Sequence, residues 1–225
     1  MTTSRMLKVC CIQSAKEAET AISSGADLLG FVADGTGDWG PISIRRIASI
    51  VAGLPGGTRS VLLTSATDIS TLIDRCEKVR PYALQLTDGL AGDPAALRES
   101  LGETRIFFTV HVTGAEVIEK ALSASKWADA LMLDSGFPDA TEKVLGATGR
   151  PHDWSISAEI VRSVSCPVFL AGGINMDNVE RALRTVSPAG VDVASGVRLQ
   201  GDLAGSAVRG LSEALQAGLK GRQTA

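Results

Sequence analysis

Pro167-Val168-Phe169-Leu170-Ala171-Gly172-Gly173 and, further along, Val191-Asp192-Val193-Ala194-Ser195-Gly196 decide how this chain folds. Each is a short apolar run, as a strand buried on both faces requires, and each breaks off in glycine or small polar residues. The same unit recurs towards the N-terminus at Met6 to Cys11, Asp27 to Val32, Ser60 to Thr64, Ala83 to Leu86, Ile106 to Val112 and Ala128 to Asp134. Seven intervening stretches can carry a helix, and an eighth helical run follows the last strand. Eight β-then-α units predict an α/β protein of a single closed (β/α)8 barrel, and such barrels carry their chemistry at the C-terminal ends of the strands. The residues at those ends are Cys10, Asp134, the pair Gly172-Gly173 and the run Ser195-Gly196.

The length of 225 residues suits one such barrel, so residues 1–225 are expected to form one domain with its core from about residue 6 to residue 219. Hydrophobic content of 44% with 24 glycines fits buried parallel strands joined by tight turns. With 22 basic against 25 acidic residues and no basic run, there is no electrostatic footprint for nucleic acid. An anionic ligand has to be captured locally. The first residues lack a signal-peptide core, and no stretch approaches the roughly 20 apolar residues of a membrane span. The expectation is a cytosolic protein with a small-molecule partner, no nucleic acid and no membrane, as a monomer or homodimer.

Four cysteines in a cytosolic chain point to buried thiols or a reactive group rather than a disulfide framework. Cys76 shares helical spacing with Ile69, Leu72, Ile73 and Val79, and Cys166 directly precedes a strand, so both are expected in the core. Cys10 and Cys11 are adjacent on a strand, which predicts side chains on opposite faces, one at the barrel mouth and the other under the helices. Ser14, Ser43, Asp68, Asp93, Ser155 and Asn175 are placed to cap helices, and the last helix is expected over roughly Leu203 to Leu219. Long loops follow strand 2 (Ala33 to Ile42) and strand 6 (Ser135 to Asp153), the usual carriers of specificity.

Gly35-Thr36-Gly37-Asp38-Trp39-Gly40 matches the dinucleotide fingerprint by letter, but Pro41 follows at once, the helix starts near Ser43, and the acidic residue for the ribose is missing. A flexible active-site loop fits better. With no Gly-Lys-Ser/Thr phosphate loop, no paired-cysteine spacing and two histidines, His111 and His152, no cofactor and no metal are expected. Gly172-Gly173 and Ser195-Gly196 are different. Loops after strands 7 and 8 of these barrels present backbone N–H groups and a helix start to phosphate.

Lys8-Val9-Cys10-Cys11-Ile12, Leu131-Met132-Leu133-Asp134-Ser135, Gly146-Ala147-Thr148-Gly149 with Asp153-Trp154, Leu170-Ala171-Gly172-Gly173-Ile174 through Asn178-Val179, and Gly190 through Val197 together resemble the phosphoribosylanthranilate isomerase family of tryptophan biosynthesis. The resemblance runs from about Leu7 to Leu219. It implies a cofactor-independent isomerase performing an Amadori rearrangement, with Cys10 as general base, Asp134 as general acid, and Asp192 near the substrate amino group. Opening an aminofuranose needs a proton delivered to the ring oxygen and another removed from the neighbouring carbon, which two such groups can supply. The alternatives are a diverged sibling acting on another sugar phosphate, or a phosphate-binding barrel without catalysis.

The chain departs from the family pattern in four places. Cys11 stands where glycine is usual. Gly37 to Ser43 replaces a Ser-Pro-Arg motif whose arginine meets the anthranilate end. Gln85-Leu86-Thr87-Asp88 replaces Gln-Leu-His-Gly, and Arg198 replaces a glutamate. Losing that arginine predicts a raised KM for the anthranilate substrate unless Arg45, Arg46 or Arg150 supplies the cation.

Overall fold

In the computed structural model, which describes residues 5–34, 40–135 and 153–220, eight parallel strands alternate with helices. The strands are β1 (Met6–Val9), β2 (Leu28–Val32), β3 (Arg59–Thr64), β4 (Ala83–Leu86), β5 (Arg105–His111), β6 (Ala130–Asp134), β7 (Val168–Leu170) and β8 (Gly190–Val193). The helices are α1 (Ala15–Ser23), α2 (Ile44–Ala52), α3 (Ile69–Val79), α4 (Pro94–Leu101), α5 (Val117–Ala124), α6 (Trp154–Ser163), α7 (Val179–Val186) and α8 (Gly205–Lys220). The strands pair in chain order and β8 returns to β1, Met6 facing Gly190 and Val9 facing Val193, so the expected closed barrel is the observed one. Gly190 is required at this seam: a Cβ there would stand 2.4 Å from the Met6 carbonyl oxygen.

Alternation along each strand sends one set of side chains outward under the helices and the other into the barrel. The outward set joins the helices in the larger core, including Leu7, Val9, Phe31, Leu62 and Leu131. The inward set is apolar at the floor, where Leu28, Val61, Ala83, Phe107, Ala130 and Phe169 pack, with Phe107 and Phe169 stacked at 6.0 Å between centroids. Towards the C-terminal ends the inward positions turn polar.

Ser14, Ser43, Asp68 and Asp93 cap α1 to α4 through side-chain oxygens that accept backbone N–H groups of the first turn. Two caps differ from expectation. Asp153, not Ser155, caps α6 and accepts from the Ser155 amide. Asn175 lies in the loop before α7, which starts at Val179, because Asn175 makes a local turn to the Asp177 amide instead. α8 starts at Gly205, since Leu203 belongs to a two-stranded antiparallel ribbon formed by β9 (Arg198–Leu199) and β10 (Asp202–Leu203). Cys76 is buried as expected, whereas Cys166 is only partly covered at the edge of the core. Most of the fingerprint-like run and of the loop after β6, Arg150 and His152 included, lies outside the described residues.

Candidate active site

The barrel mouth is a cavity lined by Cys10, Cys11, Gln85, Thr87, Thr109, His111, Asp134, Asp192, Ser195 and the loop from Ala171 to Ile174. Five of the seven site residues expected from sequence therefore share one cavity with Asp192: Cys10, Asp134, Gly172, Gly173 and Ser195. Gly196 stands just behind it, where a Cβ would lie 2.0 Å from the Ile174 carbonyl oxygen, so this glycine lets the loops after β7 and β8 touch through main chain. Gly172 and Gly173 both have positive φ, 80° and 68°, and a Cβ on Gly172 would run into Ser135. Asn178 ties the loop after β7 together: its amide donates to the Gly173 carbonyl at 2.8 Å and its oxygen accepts from the Asn175 amide.

The expectation for Cys11 is overturned. Both cysteines face the cavity. Strand parity holds only while the strand continues, and the β1 ladder ends at Val9; at Cys11 the backbone turns left-handed, φ 61°, and swings its thiol back to the mouth. Arg198 fixes that turn. Its guanidinium is gripped by both oxygens of Glu17 at 3.0 Å and donates to the Cys11 carbonyl at 2.6 Å.

Beneath the thiols lies a residue that the sequence reading did not single out. Lys8, two positions before Cys10 and so on the same inward face, is fully buried and reaches Asp192 on β8 at 2.7 Å. Gly30 on β2 makes the room, since a Cβ there would meet the Cys10 sulfur at 2.8 Å and the Lys8 Nζ at 3.1 Å. Burial opposes charge on Lys8, but Asp192 and the two thiols outweigh it and hold the ammonium above its ordinary value. Burial pushes the Asp192 carboxyl up against the pull of Lys8, yet the 2.7 Å contact identifies the pair as ammonium and carboxylate. The other consequence falls on Cys10. A hydrogen bond from Cys11, opposed by burial and aided by the Lys8 charge, holds the Cys10 thiol below its usual range, while Cys11 is driven well above it.

Across the mouth, burial raises the Asp134 carboxyl, with His111, the Ser135 amide and Lys8 opposing. The cavity thus shifts the thiol on one wall towards ionisation and the carboxyl on the other towards protonation. That is the polarity a base and an acid need to act together.

Three further groups on the wall are pinned at one end and open at the other. Gln85 donates through Nε2 to Thr109 at 3.1 Å, His111 through Nε2 to the Thr87 carbonyl at 3.0 Å, and Asp192 binds Lys8 through Oδ2. Gln85 Oε1, His111 Nδ1 and Asp192 Oδ1 are buried without a partner among the described residues. A buried acceptor left unpaired costs about 1–3 kcal/mol, so the mouth is suited to a ligand rich in hydrogen-bond donors. Sequence reasoning missed Gln85 and His111, although counting by twos along β4 and β5 from their buried apolar positions places both inward. On the β2 rim, Arg75 of α3 is occupied by Asp34, which it meets through both nitrogens; burial works against the Asp34 charge, but Arg75 and Thr64 hold the carboxyl below its ordinary value. Arg46 donates to the Gln13 carbonyl nearby.

A closed parallel barrel that gathers a cysteine and an aspartate in its mouth is a (β/α)8 barrel, and the chain belongs to the isomerases among them. Within that class, the chain belongs to the N-(5'-phosphoribosyl)anthranilate isomerase family, whose profile, described as N-(5'phosphoribosyl)anthranilate (PRA) isomerase, matches residues 7–209. It is 34% identical to N-(5'-phosphoribosyl)anthranilate isomerase 2 of Methanosarcina mazei over 194 residues, 85% of either chain. The solved phosphoribosyl anthranilate isomerase of Thermotoga maritima superimposes with a TM-score of 0.79 at 26% identity, covering 95% of this chain and 99% of that one. Another solved phosphoribosyl anthranilate isomerase, in complex with reduced 1-(o-carboxyphenylamino)-1-deoxyribulose 5-phosphate, shares the fold at a TM-score of 0.75 and 24% identity, covering 95% of this chain and 99% of that one. No described helix is long and apolar enough to cross a membrane.

Proposed function

We propose that the protein isomerises N-(5'-phosphoribosyl)anthranilate to the carboxyphenylamino-deoxyribulose phosphate, with Asp134 as general acid and Cys10 as general base. The observation that carries this reading is a cysteine and an aspartate facing one cavity with opposed shifts, the thiol moved towards ionisation and the carboxyl towards protonation. Asp134 gives its proton to the furanose ring oxygen, the bond from that oxygen to the anomeric carbon breaks, and the amine nitrogen takes up the positive charge as an iminium. The Cys10 thiolate then removes the proton from the neighbouring carbon, giving an enolamine that becomes the ketone by proton shift. Phosphate lies against the main chain at Gly172-Gly173 and Ser195-Gly196. Asp192, held by Lys8, offers its second oxygen to the substrate N–H.

The anthranilate carboxylate is the weakly provided end. Arg75, beside the β2 rim, is neutralised by Asp34, so a raised KM is expected relative to a protein that keeps a free arginine there.

Turnover of phosphoribosylanthranilate by the purified protein tests the reading. Cys10→Ala and Asp134→Asn should each lower kcat/KM by at least about 10²-fold, the scale of one general acid or base. A wild-type protein with no isomerase activity sinks it.

A further inference from the structure

We propose that His111 is a positioning residue for this reaction, accepting at Nδ1 a hydrogen bond from a hydroxyl of the sugar phosphate. The inference deepens the isomerase reading and rests on it. β5 lies between β4 and β6, and His111 ends it on the inward face. Its Nε2 is 3.0 Å from the Thr87 carbonyl oxygen on the β4 side. A carbonyl can only accept, so Nε2 carries the hydrogen, and in the neutral ring Nδ1 carries a lone pair. That nitrogen is buried, has no partner among the described residues, and belongs to a ring on the cavity wall.

On the β6 side, His111 pairs in register with Asp134. The lone pair therefore stands on the strand next to the group that protonates the ring oxygen, and it is joined around the mouth by the open acceptors of Gln85 and Asp192. The described wall presents acceptors where a ligand must bring donors, and the sugar carries such donors as hydroxyls. The Thr87 contact also fixes the ring plane, so the acceptor is held in place before the ligand arrives.

The chain's two histidines, His111 and His152, make the test direct. In protein labelled with 15N-histidine and held at a pH where the ring is neutral, the His111 Nδ1 resonance, assigned with His111→Leu, should be of the unprotonated type before ligand is added. It should move to the hydrogen-bonded position when reduced 1-(o-carboxyphenylamino)-1-deoxyribulose 5-phosphate is added, and stay in place with inorganic phosphate alone. His111→Leu should raise KM roughly tenfold, the scale of one hydrogen bond in a buried site, with a smaller change in kcat. His111→Gln, which restores an acceptor, should recover part of the loss. Binding of the analogue, shown by calorimetry, with an unmoved Nδ1 resonance overturns the proposal alone; failure of the analogue to bind wild-type protein overturns the isomerase reading and the proposal together.

Discussion

The rim above β7 and β8 is shaped by main chain, whereas the rim above β2, β4 and β5 is shaped by side chains. On the first, Gly172, Gly173 and Gly196 hold positions where a Cβ meets backbone or a left-handed φ is needed. On the second, Arg75 pairs with Asp34 and the His111 ring donates to the Thr87 carbonyl, bonds made by side chains that others could replace. A surface made of backbone can recognise a group common to many ligands but has little room to vary, while one made of side chains can be rebuilt. The four departures from the family pattern agree with this: three, at Cys11, Thr87 and the residues after β2, fall near the side-chain rim, and the fourth, Arg198, serves Cys11 from beneath.

The largest effect that should separate the rims is Gly196→Ala. Its Cβ would press on the Ile174 carbonyl, and forcing atoms into a filled space costs typically ~1–3 kcal/mol. Urea denaturation should show that loss together with weaker phosphate binding. Thr87→Ala, which removes only the hydroxyl bond to the Thr64 carbonyl, should cost about 1 kcal/mol or less. Equal losses in the two variants would erase the distinction.

A smaller and opposite effect is expected at Cys11. Glycine adopts the left-handed turn without the penalty of ~1–2 kcal/mol that a side chain carries there, and Arg198 needs only the backbone carbonyl. Cys11→Gly should keep or slightly raise the melting temperature and retain activity, with the acidic limb of the pH-rate profile moved towards higher pH as Cys10 loses its thiol partner. A large drop in stability would show that the thiol, not the backbone, holds the turn.

The smallest effect lies away from both rims. Burial pushes the Cys76 thiol from 9.0 up to about 12, so the folded state favours the neutral thiol. Its contribution is complete below pH 9.0 and lost as pH rises from there towards 12. Cys76→Ala should be less sensitive to pH than wild type in that window, by denaturant midpoints measured in parallel.

The barrel was legible because each strand is short, apolar and closed by glycine or a polar residue, signals that survive without knowing any partner. Cys10 and Asp134 were legible for the same reason, as polar types ending apolar runs. Lys8 was not, since a lysine within a strand makes sense only once Asp192, 184 positions away, stands opposite. Cys11 was misassigned because alternation was extended past the last rung of the ladder. His111 escaped because its meaning depends on Thr87 and Asp134, which reach it from neighbouring strands.

The Lys8 to Asp192 contact also bears on how the protein comes into being. During synthesis the first strand emerges long before the eighth, and until Asp192 arrives an ammonium in that interior would be buried without its counter-charge, a loss of about 3–5 kcal/mol. The first strand therefore gains its place only when the last one docks, a contact of very long sequence separation of the kind that slows folding. An N-terminal fragment carries Cys10, Cys11 and Lys8 but not the eighth strand that completes the cavity around them. The cavity is thus made only by completion of the chain, and a truncated product keeps the two thiols without the walls that face them.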